Sequence, residues 1–146
     1  MRSKLIQESQ GRKVFAVVFD KGDEVKAGLT CFAREQRLGA SQLTAIGAFQ
    51  EAVLGYFDRE RREYLKIPVR EQVEVLSLLG DVVIDRDAPS VHAHVVLGRR
   101  DGSTVGGHLL EARVWPTLEV IVAESPEHLR KRYDPETGLT LIDPGR

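Results

Sequence analysis

Three of the four histidines in this sequence fall within one short window, as His92-Ala93-His94 and Gly106-Gly107-His108. Neutral imidazole is the commonest metal ligand in proteins, so this is the sharpest chemical signal in the chain. In a β-strand, residues two apart project from the same face about 6.5–7 Å from each other, a span two imidazoles can close around one ion. His108 joins them only if the intervening hairpin has the right parity. A two-residue turn at Asp101-Gly102 would pair Val95 with His108 and send that imidazole to the opposite face. A three-residue loop with Gly102 in the left-handed region, or a bulge at Gly106-Gly107, would set His108 beside His94. Two readings follow from spacing alone: a three-histidine metal site, or three hydrogen-bonded polar groups in a half-buried pocket.

Three imidazoles and an open fourth position describe a zinc centre able to polarise bound water, which makes hydrolytic chemistry conceivable. Such chemistry needs a carboxylate as base or as an orienting partner. Glu119, in Thr117-Leu118-Glu119, is the candidate if its strand neighbours the hairpin; otherwise it is an exposed strand residue. His128 reads as a surface residue, and Cys31 as a small buried hydrophobe. The sequence has no phosphate-binding glycine loop, nucleophile elbow or paired-cysteine zinc motif.

The elements that must position these residues are mostly short and β-type. Lys13 to Phe19 is an apolar run ended by Lys21-Gly22-Asp23, which reads as a strand. Val25, Leu29, Phe32 and Ala33 recur at helical spacing, with Asp23 able to cap the start and Gly39 to close the end. The runs 42–49, 52–57, 63–67, 73–84 and 91–97 predict an antiparallel sheet. In 73–79 both alternate sets are largely apolar, which predicts a central strand covered on two faces. Residues 103–110 and 117–123 add two more strands. Ser125-Pro126-Glu127 suggests a short helix, and residues 139–142 an edge strand after the turn at 134–138. The expected fold is therefore α+β: a largely antiparallel sheet flanked by helices, with residues 1–146 forming one domain.

Composition narrows the function classes. The 146 residues are 42% hydrophobic, enough for a core without disulfides or metal. The 21 basic and 22 acidic residues balance to a net charge of −1, which argues against a dedicated nucleic-acid binder. The one cysteine and the lack of a signal-like apolar run suggest a cytoplasmic protein, and no run reaches the roughly 20 apolar residues needed to span a bilayer.

Several blocks, taken in order, resemble the plants-and-prokaryotes-conserved (PPC) domain: Ala45-Ile46-Gly47-Ala48, Leu54-Gly55-Tyr56-Phe57-Asp58, Glu74-Val75-Leu76-Ser77-Leu78-Leu79-Gly80, His92-Ala93-His94, Gly106-Gly107-His108-Leu109 and Thr117-Leu118-Glu119. The resemblance covers about residues 13–123. It implies a homotrimer, and a metal site, often zinc, at His92, His94 and His108. It also brings a DNA-binding label, which in plants goes with AT-hook arms built on Arg-Gly-Arg-Pro, and this sequence contains no such motif. The expected function is a trimeric metal-containing binding or regulatory module. A zinc-dependent enzyme on a small polar substrate and a DNA-binding regulator are the alternatives.

Overall fold

A computed structural model describes residues 1–145. Nine strands form one sheet: β1 (Arg2–Ser9), β2 (Arg12–Phe19), β3 (Ala40–Asp58), β4 (Glu63–Val69), β5 (Val73–Asp85), β6 (Ala88–Gly98), β7 (Thr104–Glu124), β8 (Arg130–Asp134) and β9 (Leu139–Asp143). Among the described residues α1 (Val25–Gln36) is the one α-helix. With 68% of residues in strands and 8% in a helix, the fold is mostly β, which corrects the α+β expectation. The second helix expected at Ser125 is absent: residues 125–127 make an irregular bend, and a strand follows at Arg130. A serine cap and a proline can start a helix, but here no run of core-facing residues follows to reward one.

The long strands β3 and β7 bend at register shifts and so serve three neighbours each: β4, β5 and β7 for β3, and β2, β3 and β6 for β7. β3 pairs with β5, β5 with β6, β6 with β7, and β7 with β3, so that four strands close a circuit. Ala93, Val95 and Leu97 of β6, Val75 and Leu78 of β5, Leu54 of β3 and Leu109 of β7 are buried on its inner side. Each fully buried large side chain of this kind contributes about 1.5–3 kcal/mol.

α1 packs Val25, Leu29, Phe32 and Ala33 onto this core, with Phe32 edge-on to Phe15 of β2 at 5.3 Å. Its cap is Glu24 rather than Asp23: the Glu24 carboxylate accepts from Lys26 N and Ala27 N. It ends at Arg37 in the left-handed conformation, two residues before Gly39, with Leu38 N donating to Ala33 O at 2.9 Å. Cys31 lies on the outer side of this helix and is exposed, not buried as its residue type suggests.

β5 departs from expectation in an informative way. It is central, but within 73–79 only Val73, Val75 and Leu78 are buried; Leu76 and Leu79 on the other side are more than half exposed. Leu79 belongs to a row that crosses the sheet through direct cross-strand partners: His108, His94, Leu79, Thr44 and Ile121. Ile46, Val96 and Ile121 also stand exposed among the outward residues of these strands.

Candidate metal centre

The β6–β7 hairpin has the parity that brings the histidines together. Arg99 and Ser103 close a three-residue loop of Arg100, Asp101 and Gly102, through Arg99 N to Ser103 O at 2.8 Å and Gly102 N to Arg99 O at 3.0 Å. Gly102 takes a φ of +82°, which a side chain would strain, and Asp101 accepts from both the amide and the hydroxyl of Ser103. The resulting register pairs His94 with His108. The ladder from Thr104 to His108 runs without a bulge, so the loop alone supplies the odd residue.

Because Ala93, Val95 and Leu97 face the core, His92 and His94 must face outward, where His108 meets them. The ring centroids are 5.0 Å apart for His92 and His94, 5.1 Å for His92 and His108, and 5.3 Å for His94 and His108. One ring nitrogen from each lies within 4.8 Å of the others. His92 Nε2 and His94 Nε2 are 3.1 Å apart. Two nitrogens bound to zinc at 2.0–2.1 Å in tetrahedral geometry sit about 3.3–3.4 Å apart, so this pair already has nearly that spacing. His108 Nδ1 is buried and has no hydrogen-bond partner among the described residues. Three converging imidazole nitrogens fit a metal's donor set, and the three residues suit zinc by type.

The electrostatics favour the neutral, ligating form of two of the rings. Burial pushes the His108 pKa down to about 4, helped by the neighbouring His92, and burial followed by His92 also lowers that of His94. Both rings are therefore biased against the second proton that would block the free nitrogen from a metal.

Three residues that sequence reasoning missed support the cluster. Asp81, directly opposite His92 across the β5–β6 ladder, faces His92 Nδ1 with Oδ2 at 3.3 Å. When Nδ1–H donates to this carboxylate, the Nε2 lone pair is left pointing into the cluster. Lys131 on β8, with only 8% of its side chain exposed, brings its ammonium to 3.8 Å from Asp81 Oδ1. That distance makes an ion pair but not a hydrogen bond, and Oδ1 has no hydrogen-bond partner among the described residues. Tyr64 of β4 lies over the His108 ring at 4.6 Å between centroids and 32° between planes. Its path crosses Gly55, where a Cβ would come within 2.8 Å of the Tyr64 ring. Cross-strand position was the readable signal for Asp81, once β5 and β6 were aligned; nothing local in the sequence marks Tyr64 or Lys131.

Glu119 is not brought to the cluster. It stands on the distal half of β7, eleven residues beyond His108 (119 minus 108), paired with Ile46 and Val18, and it is exposed. His128 is exposed as expected, resting over Gly39 with Nε2 3.9 Å from Glu124. Glu124 is a buried carboxylate that accepts from Gly39 N, Ala40 N and the Ser41 hydroxyl, tying the start of β3 to the end of β7.

Fold and site together define a small β-domain whose closed strand circuit carries three converging imidazoles on its outer face. The chain belongs to the Plants and Prokaryotes Conserved (PCC) domain family, whose sequence profile matches residues 6–126. Its fold is shared with a solved metal-containing protein from Archaeoglobus fulgidus at 39% identity, with 89% of this chain and 92% of that one covered and a TM-score of 0.83. A protein from Ralstonia eutropha that carries a provisional DNA-binding name is 28% identical, with 88% and 90% covered and a TM-score of 0.83. The chain is also 33% identical over 129 residues to the bifunctional protein GlmU of Synechococcus sp. (strain JA-3-3Ab), of which it spans 20% of the length. No helix among the described residues is long and apolar enough to cross a membrane.

Proposed function

We propose that the chain is a homotrimeric binding or regulatory module of the cytoplasm whose structural centre is a zinc ion held by His92, His94 and His108. The observation that carries this reading is the 3.1 Å approach of two imidazole nitrogens, one of them backed by the Asp81 carboxylate. The metal content of the Archaeoglobus relative at 39% identity supports it. A bound zinc would supply Lewis acidity and a water of lowered pKa. The chain's own residues orient the ligands: Asp81 sets the tautomer of His92, and Tyr64 shields His108. Support for self-association comes from the exposed row containing Leu79 and Ile121, since apolar side chains of this size on one sheet face are the kind a second subunit covers.

A binding role is favoured over hydrolysis because the carboxylate beside the cluster is engaged by His92 and Lys131, leaving no free base among the described neighbours. Duplex DNA is a further candidate partner through the Ralstonia relative's name, though the net charge of −1 offers little to phosphate. Protein purified without a histidine tag or chelators and then given zinc is expected to hold about one ion per chain and to stay silent in a broad hydrolase screen. Robust turnover in that screen would move the assignment to the zinc enzyme. Sequence-specific DNA affinity tighter than about 10⁻⁸ M at physiological salt would move it to the regulator.

A further inference from the structure

Lys131 lies past residue 126, where the match to the family profile ends, on a hairpin that adds itself to the edge of the sheet. β8 and β9 pair with each other through five residue pairs, and β8 joins β5 at Ile84 and Arg130, with Ile84 N donating to Leu129 O at 3.0 Å. Along β8 the basic residues divide sharply. Arg130 and Arg132 are exposed, with side chains 68% and 82% accessible, and pair with Asp87 and Asp143. Lys131 alone turns inward, 8% exposed, and ends beside the carboxylate that backs His92. Enclosing an ammonium is costly unless something requires its charge there, and the charge it meets is Asp81.

We infer that Lys131 is an affinity-setting residue of the metal centre: its ammonium offsets the Asp81 charge behind His92 and keeps a divalent ion exchangeable rather than permanently held. This rests on the reading of the three histidines as metal ligands. Asp81 does not need Lys131 for its position, because the β5–β6 register already places it opposite His92 and His92 Nδ1 engages the other oxygen. What Lys131 adds is therefore charge. The ammonium is one carboxylate removed from a ligand imidazole, 3.8 Å from Asp81 Oδ1 where Oδ2 is 3.3 Å from His92 Nδ1, which sets it roughly 10 Å from an ion shared by the three rings. At that separation a single positive charge weakens binding of a dication about fourfold even with the dielectric of bulk water, and more in a half-buried setting.

The test is zinc(II) affinity by competition with a chromophoric chelator at low ionic strength, for the full chain and for K131M, K131Q, K131R and R130Q. K131M and K131Q are expected to bind zinc about fourfold or more tightly than the parent. K131R, which keeps the charge, and R130Q, which removes an exposed one, should stay within twofold. Cobalt(II) absorption spectra should coincide for parent and K131M, because the ligand set is unchanged. If the parent binds zinc and neither neutral variant binds it more tightly, the role given to Lys131 is wrong while the histidine centre stands. If the parent binds no zinc, both fall. K131Q keeps the experiment decisive should K131M fail to fold, which circular dichroism would reveal.

Discussion

Replacing Asp81 with asparagine removes one charge and almost no volume, so it isolates what the carboxylate does for the centre. In the parent, Asp81 Oδ2 lies 3.3 Å from His92 Nδ1 and Oδ1 faces the Lys131 ammonium at 3.8 Å. Loss of a carboxylate behind a ligating imidazole typically weakens metal binding by about 10- to 100-fold, through lower ligand basicity and a less defined ring orientation. The upper part of that range applies here, because D81N also leaves the enclosed Lys131 charge uncompensated on the same side as the ion. The same orphaned ammonium should cost about 1–3 kcal/mol of stability, below the figure for a fully buried pair because the Asp81 side chain is 27% exposed. Zinc affinity by chelator competition at pH 7 and urea denaturation of the metal-free protein measure the two effects separately. The double variant D81N/K131M should recover most of the stability and part of the affinity. A D81N protein whose zinc affinity stays within twofold of the parent would refute the role given to this carboxylate.

H94A should lose most of its bound zinc yet keep a β-rich circular dichroism spectrum, since His94 is exposed and the core lies on the opposite face of its strand. The metal-free protein should weaken on acidification. His108 has a folded pKa of about 4 against an ordinary 6.5, so its contribution to stability is complete above pH 6.5 and disappears as pH falls toward 4. H108Q should flatten that part of the profile in urea melts at pH 7, 5.5 and 4.5. Light scattering at micromolar concentration should give three times the chain mass, and L79E together with I121E should shift it toward the monomer by charging the exposed apolar row; an unchanged mass would place the interface elsewhere.

Much of the site was legible in the sequence because it is local. His92 and His94 share a face by strand periodicity alone, and Gly102 announced a loop able to bring His108 beside them. The missing partners are non-local. Asp81 reaches His92 only through the β5–β6 register, Tyr64 reaches His108 by crossing Gly55, and Lys131 arrives on a hairpin whose docking strand reads as ordinary polar surface. Glu119 was a reasonable candidate by residue type, but β7 is 21 residues long and bent, so residues on its two halves meet different neighbours. The α+β expectation failed at the ends of the chain. β1 is exposed along its whole length and has no apolar alternation to announce it, and the helix expected at Ser125 gave way to the bend that feeds β8. The apolar set that predicted two-sided cover for β5 was read correctly as apolar. Within the chain that side stays open, with Leu76 and Leu79 more than half exposed.

The most direct test of the three-histidine centre is X-ray absorption at the zinc edge on protein loaded with one equivalent of zinc, with H108A measured alongside. Three imidazole nitrogens at 2.0–2.1 Å plus one light fourth ligand in the parent, falling to two imidazoles or to no bound zinc in H108A, is the predicted outcome. A zinc shell containing sulfur, or a parent spectrum that H108A reproduces unchanged, would place the metal elsewhere and contradict the account.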